Sequence, residues 1–132
     1  MNPMVEFKKS FSKEYEIAGH KFLFRSLSTK ESNEIEKSVA RQIVSINDDS
    51  TFNTRKIETL SVALVSVDSI PLKQFEDIQI EISKGGIEKD LIKAEIESWE
   101  DSFTSLLYLY YLDMLKQKDA KYEKETKYLN GK

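Results

Sequence analysis

The only histidine of the chain, His20, is the side chain best suited to proton transfer near neutral pH. It follows Gly19, and because the chain has no cysteine and no second histidine, it has no such partner for a shared zinc ion. A nucleophilic serine needs a positioned base, and no serine lies in a motif that supplies one. We therefore interpret His20 as a solvated turn residue and expect no catalytic residue, no cofactor and no enzyme activity.

Residues with side-chain oxygens fall at the ligand positions of a calcium-binding loop. They are Asn47, Asp49, Thr51, Asn53 and Glu58. The template requires glycine at its sixth position, where this chain has Phe52. We interpret the segment as a turn between two helices and predict no metal site.

The element that organises the chain is an apolar stretch near its carboxyl end. Large apolar residues recur there at spacings of three and four: Ile92, Ile96, Trp99, Phe103, Leu106 and Tyr110. This spacing places them on one side of a helix. Carboxylates fall largely off this stripe, at Glu95, Glu97, Glu100 and Asp101, and we interpret them as its water-facing side rather than as acid–base pairs. Because neither Gly nor Pro interrupts the stretch, it predicts a single long helix from about Ile87 or Glu88 to Lys118.

Apolar residues alternate on both sides of Gly19, which predicts a β-hairpin over about residues 14–25. The side chains expected to face the core are Tyr15, Ile17, Phe22 and Phe24. An isolated hairpin is only marginally stable in water. It must therefore pack on helices or gain a strand from elsewhere.

Two helices are predicted between the hairpin and Pro71. The sequence from Ser28 to Glu31 is a capping box and should begin the first helix. Its core side carries Ile35, Val39, Ile43 and Ile46. A polar turn over 47–51 follows, and Asn53 or Thr54 can cap the second helix. Its core stripe carries Ile57, Leu60, Leu64 and Val67, and the sequence from Asp68 to Pro71 should end it.

The segment over 72–84 fits two patterns. Ile78, Ile80 and Ile82 alternate as in a strand, while Leu72, Phe75, Ile78 and Ile82 fit one side of a helix. Pro71 suits a first helical turn, and Gly85 with Gly86 suits a helix end. We predict a helix.

These elements predict a mostly α fold with α+β character. An N-terminal β-hairpin would pack on a small bundle of three to four helices with one long C-terminal helix. Residues 1–121 should form a single domain, and residues 122–132 a polar, frayed tail. The apolar run of residues 106–115 is far shorter than the ~20 residues of a membrane span, so we expect no membrane association.

Charge is distributed unevenly along the chain. Residues 1–30 and residues 116–132 each carry six Lys or Arg and three Asp or Glu, whereas residues 31–115 carry eight and seventeen. The acidic middle would repel nucleic acid, so we expect no nucleic-acid partner. The basic ends could meet an acidic partner or the acidic body of a second copy, or form only a solvated surface.

The run from Leu106 to Leu115 carries large side chains in nearly every direction around the predicted helix. A helix that is apolar all round must be buried all round, and few other elements are available to cover it. Either the domain wraps this helix completely, or the surplus surface binds a partner protein or a second copy. For the second interpretation we expect a homo-oligomer and name seven partner-binding residues: Trp99, Phe103, Leu106, Tyr108, Leu109, Tyr110 and Leu112.

The order of these features also follows a known pattern. An aromatic hairpin leads through Phe24-Arg25-Ser26-Leu27-Ser28 to Glu31, the segment from Leu60 to Leu64 precedes Asp68 and Pro71, and an apolar helix closes the chain. This order resembles the small tail or baseplate-hub assembly chaperones of tailed bacteriophages.

The resemblance implies a helical, non-enzymatic protein of the host cytoplasm. It would bind and shield an aggregation-prone helical tail component, such as the tape-measure protein, during virion assembly. Many relatives oligomerise, and many leave before the virion is complete. The alternative is a structural tail or baseplate adaptor that is retained in the virion.

Overall fold

Six α-helices and a four-stranded sheet make up the described part of the chain, which in this computed structural model comprises residues 4–42, 48–120 and 122–123. In chain order they are α1 (Val5–Lys8), β1 (Ser12–Ile17), β2 (His20–Arg25), α2 (Thr29–Gln42), α3 (Asp48–Ala63), β3 (Leu64–Val67), β4 (Ile70–Pro71), a 3-10 turn (Leu72–Gln74), α4 (Glu76–Ser83), α5 (Glu88–Glu97) and α6 (Asp101–Ala120). The predicted class, mostly α with an N-terminal hairpin and a long C-terminal helix, is confirmed. The predicted tail lies outside the described residues except for residues 122–123.

The hairpin forms as predicted, with β1 antiparallel to β2 and Tyr15 opposite Phe22. Its two turn residues, Ala18 and Gly19, have φ of 53° and 82°. Positive φ at both positions is what a two-residue turn between twisted strands requires, and Gly19 adopts it without a side-chain penalty. Of the predicted core-facing side chains, Ile17, Phe22 and Phe24 are buried and Tyr15 is partly buried against them.

The hairpin gains a third strand from the segment predicted as the end of the second helix. α3 ends at Ala63, and β3 pairs antiparallel with β2, with Val67 opposite Phe22. Asp68 and Ser69 then turn the chain with φ of 51° and 68° into β4. The prediction that Leu64 and Val67 extend the helix is wrong, because the open side of β2 offers backbone hydrogen bonds that outweigh local helix propensity.

The beginning of α3 also differs from its prediction. The helix begins at Asp48 rather than at Asn53 or Thr54, so the predicted polar turn is helical from Asp48 onward. Asn47, like Ile43 and Ile46 on the predicted core side of α2, lies outside the described residues. Ile35 and Val39 are buried as predicted.

The two predicted helix signals at Ser28 and Gly85 are both present. The Glu31 N–H donates to Ser28 Oγ at 3.1 Å, and the Ser28 N–H donates to Glu31 Oε1 at 2.9 Å, which completes the capping box. The helix predicted over 72–84 is confirmed only for α4, Glu76–Ser83. Before it, Leu72–Gln74 form a 3-10 turn and Phe75 is extended, and Pro71 lies in β4 rather than in a first helical turn. At the end of α4 the Gly86 N–H donates to the Glu81 carbonyl and the Gly85 N–H to the Ile82 carbonyl, both at 2.9 Å, with φ of 94° at Gly85. This is the Schellman arrangement.

The C-terminal stretch is two helices, so the prediction of one continuous helix is wrong. Ser98 Oγ donates to the Glu95 carbonyl at 2.6 Å, and the Phe103 N–H donates to Glu100 Oε2 at 3.0 Å. These bonds close the end of α5 and the start of α6. A straight helix of thirty residues would extend about 45 Å, beyond the rest of the domain. The break instead lets α5 pack on α3 and α4, while α6 packs on α3 and the hairpin.

The core lies between α6, α3 and the inner side of the sheet. Its fully covered members include Phe24, Leu60, Ile96, Leu107 and Met114. At its border the Tyr15 hydroxyl donates to Asp113 Oδ2 at 2.7 Å, which fixes β1 against α6. Among the helices described, none combines the length and apolar character that crossing a membrane requires.

Candidate functional site

An apolar groove of about 390 Å³ opens where the sheet, the start of α4 and the junction of α5 with α6 meet. Its lining residues are His20, Phe22, Val67, Phe75, Trp99, Glu100 and Phe103. The aromatic rings contact one another at its base. The ring centroids of Phe22 and Phe103 are 5.6 Å apart, and those of Trp99 and Phe103 are 6.2 Å apart. The groove therefore offers a concave aromatic surface with few polar atoms.

Trp99 lies in the groove because the chain breaks between α5 and α6. Its indole Nε1 donates to Glu95 Oε2 at 2.8 Å, one helical turn earlier. The one polar atom of the ring is thus bound within the chain, which leaves the ring carbons to line the groove. A molecule that enters meets an apolar surface and need not supply a hydrogen-bond acceptor for Trp99.

Charged groups lie at the edge of the groove. His20 Nδ1 is 2.6 Å from Asp68 Oδ2, and the Lys21 N–H donates to Asp68 Oδ1 at 2.8 Å. The Lys21 N–H and then His20 lower the pKa of Asp68, so its carboxylate is ionised at neutral pH. His20, predicted to be a solvated turn residue, is the first residue of β2, with 61% of its side chain exposed. Glu100, also exposed, lines another part of the groove.

The apolar surface continues from the groove along α6. Leu106 and Leu109 remain 40% and 62% exposed. Phe103, Leu106 and Leu109 follow one another at spacings of three, so their side chains are neighbours on the helix surface. We refer to the groove together with Leu106 and Leu109 as the apolar surface.

The structure divides the seven predicted partner-binding residues among three places. Trp99 and Phe103 line the groove, and Leu106 and Leu109 extend it. Tyr110 packs instead on the hairpin, with its ring centroid 5.0 Å from that of Tyr15. Tyr108 and Leu112 line a separate cleft of about 170 Å³ with residues of α2 and α3.

Five of the seven groove residues were not among the predicted partner-binding residues, and three of these five are apolar: Phe22, Val67 and Phe75. Val67 reaches the groove only because β3 pairs with β2 beside Phe22. Phe75 was predicted to face the core from a helix, and it lies in extended backbone just before α4. The aromatic character of Phe22 and Phe75 is visible in the sequence, but their meeting with Trp99 depends on the fold.

Three of the four carboxylates considered for chemistry have structural partners, and the fourth, Glu97, is exposed. Glu95 accepts from Trp99, Glu100 accepts from the Phe103 N–H, and Asp101 accepts from Lys56 at 2.9 Å. Within the described residues, no group of three or more Asp, Glu and His side chains converges as metal ligands do. In the same part of the chain, every buried side-chain nitrogen or oxygen has a hydrogen-bond partner. The arrangement is suited to noncovalent contact with apolar groups.

Comparisons of the chain with protein-family models, with curated proteins and with solved structures found no match. Function must therefore be inferred from the apolar surface and its charged edge.

Proposed function

We propose that this protein is a non-enzymatic assembly chaperone of bacteriophage tails. It would act in the host cytoplasm by binding and shielding an aggregation-prone helical tail component, such as the tape-measure protein. The observation that carries the proposal is the apolar surface, which runs from the aromatic groove to Leu109 without an intervening charge on α6 between Phe103 and Leu109.

A groove beside an exposed helix stripe suits an amphipathic helix, whose large side chains recur at spacings of three and four. Covering roughly 300 Å² of apolar area at ~25 cal/mol per Å² would favour binding by several kcal/mol. Association itself costs a comparable amount in lost freedom of motion. The expected affinity is therefore moderate, which suits a chaperone that must release its client.

The same surface supports self-association of the free protein. Without a client, Leu106 and Leu109 are in contact with water, and a second copy could cover them. We therefore propose a homo-oligomer that exchanges its own contacts for those of the client.

Co-expression with the tape-measure protein of the same phage tests the proposal. We expect the client to remain in solution with the wild-type chain and to scatter light without it. The Leu106→Asp, Leu109→Asp double variant should fold but lose this effect. The control is Ile80→Asp, which places a charge at an exposed isoleucine of α4, 44% exposed and outside the apolar surface. Equal client aggregation with and without the wild-type chain would refute the proposal.

The alternative, a tail or baseplate adaptor, uses the same surface as a permanent interface. Mass spectrometry of purified virions separates the two functions. A chaperone that leaves should be absent from the particle, whereas an adaptor should be present at a fixed copy number.

A further inference from the structure

We propose that the segment bound in the groove is a basic amphipathic helix, with Lys or Arg on both sides of its apolar face. This inference rests on the proposed function, because it specifies the chemistry of the client segment. It follows from the charges that surround the groove.

Acidic residues lie on or beside the elements that border the groove, with the exception of β2. Glu100 lines it, Asp68 holds the lining residue His20, and exposed acids flank Phe75 and Trp99 in the chain. The full set is Asp68, Glu76, Asp77, Glu97 and Glu100, all of them exposed.

Positive charge near the groove is limited. Lys21 is adjacent to Phe22 in β2, and since neighbouring residues of a strand point to opposite sides, its exposed side chain points away from the groove. α4 and α6 begin beside the groove, and each helix N-terminus carries about half a positive charge. Glu76, Asp77 and Asp101 in their first turns offset it. Lys73, exposed and two residues before Phe75, is a second lysine near the groove, so the five exposed acids outnumber the two lysines.

The groove volume limits what can enter. About 390 Å³ accommodates two or three large apolar side chains, the number that one face of a short helix presents. Basic residues beside that face would meet the acidic edge from both sides. Such complementary charges increase the association rate and fix the orientation of the bound helix.

Trp99 makes the inference directly measurable, because it is the only tryptophan of the chain and it lines the groove. The probes are two synthetic helical peptides of about 18 residues without Trp or Tyr, a length at which an isolated helix begins to be populated. Both carry the same leucine face, flanked by lysines in one and by glutamates in the other. We expect the lysine peptide to shift Trp99 emission to shorter wavelength. At low salt it should bind about tenfold more tightly than the glutamate peptide, and this ratio should approach one in about 1 M salt.

Two charge-removing substitutions locate the effect. Glu100→Gln keeps an acceptor for the Phe103 N–H, and Asp68→Asn keeps one for the Lys21 N–H. We expect each to weaken lysine-peptide binding about threefold at low salt. The matched control, Glu14→Gln, removes an exposed charge from β1, outside the groove, and should leave binding unchanged.

Each contrary result has a distinct meaning. Equal binding of both peptides at low salt would overturn the basic specificity and leave the chaperone proposal standing. If neither peptide bound while co-expression still protected the client, the groove would not be the client site. A dimer that forms on concentrating the protein alone, with a shift of Trp99 emission, and that the lysine peptide dissociates is the exchange proposed above. If the lysine peptide neither bound nor dissociated this dimer in sedimentation, the occupant of the groove would be a second copy, and this inference would be overturned.

Discussion

Lys56 and Asp101 form an ion pair in which one partner is buried and the other is solvated. Lys56 Nζ lies 2.9 Å from Asp101 Oδ1, and the side chains are 1% and 81% exposed, respectively. Lys56 also donates to Ser105 Oγ at 3.1 Å, so it joins α3 to the first two turns of α6. Because α6 carries Leu106 and Leu109, this pair positions the apolar surface. Removing the charge of Asp101 should therefore change the stability of the protein by a different amount than removing that of Lys56.

We predict that Asp101→Ala destabilises the protein by about 2 kcal/mol and Lys56→Met by less than about 1 kcal/mol. The first change leaves a buried ammonium without its counter-charge. The second leaves a carboxylate that water already solvates, and methionine preserves much of the buried stem. Urea unfolding of both variants measures the difference, and the double variant should be more stable than Asp101→Ala. An equal or larger loss for Lys56→Met would contradict this account.

Glu31 should make stability depend on pH. The paired guanidinium of Arg25, at 2.7 Å, and then the Ser28 N–H lower the pKa of Glu31 to about 2 against the opposing effect of burial. Since this folded-state pKa lies below the ordinary value of 4.5, the stabilisation is present above about pH 4.5. It is lost as the pH falls from there towards about 2.

We predict that Glu31→Gln removes about 1–2 kcal/mol at neutral pH, a value reduced for the partial exposure of the pair. Glutamine retains the capping geometry, so α2 should still form. Between about pH 5 and pH 2 the variant should lose less stability than the wild type, as followed by circular dichroism during urea unfolding. Glu34→Gln, an exposed residue of the same helix, controls for the loss of one charge. Parallel pH profiles for the wild type and Glu31→Gln would refute the assignment.

Neighbouring leucines of α6 should separate folding from binding. Leu107 is fully buried, whereas Leu109 is 62% exposed. We predict that Leu107→Ala costs about 3 kcal/mol, because it opens a cavity in the core. Leu109→Asp should change stability by less than about 0.5 kcal/mol and abolish client protection. Thermal unfolding and co-expression measure the two effects. Unfolding of Leu109→Asp would instead place this residue in a covered core.

The two glycines between α4 and α5 should differ in what they tolerate. Gly85 has φ of 94° with open space around its α-carbon, so Gly85→Asn should be milder than Gly85→Ala, which we expect to cost about 1 kcal/mol. At Gly86 a Cβ atom would lie 2.8 Å from the Glu81 carbonyl oxygen and 2.9 Å from Leu91 Cδ1. Gly86→Ala and Gly86→Asn should therefore destabilise the protein by amounts similar to each other. Denaturant midpoints of the four variants test this pattern.

Features determined by a few adjacent residues could be predicted from the sequence. The hairpin turn at Gly19, the capping box from Ser28 to Glu31 and the helix end at Gly85 each depend on bonds spanning at most five residues. At these positions the backbone conformation or the capping hydrogen bond is compatible with only a few residue types, so the residues present predict the local structure. The apolar character of residues 106–115 is likewise evident from the sequence. The sequence also limits this helix to two possibilities: the domain covers it completely, or some of its apolar side chains remain exposed.

Only the tertiary structure decided where long-range partners meet. Leu64 to Val67 has apolar residues compatible with both helix and strand, and the open side of β2 selects the strand. α5 ends at Glu97 because the two helices pack on different neighbours. Both contact α3, but α5 also contacts α4, whereas α6 also contacts the hairpin. Ser98 and Glu100 carry a capping signal, but the uninterrupted apolar spacing around them favoured one helix.

The groove illustrates the same division. Trp99 and Phe103 belong to one amphipathic stripe, and their proximity was expected from the spacing. Phe22, Val67 and Phe75 join them from three other segments, because β3 pairs with β2 and the chain turns back before α4. Local sequence determines which side chains are apolar and which turns are possible. Which apolar side chains remain uncovered depends on how the whole chain packs, since burial is a property of all the elements together.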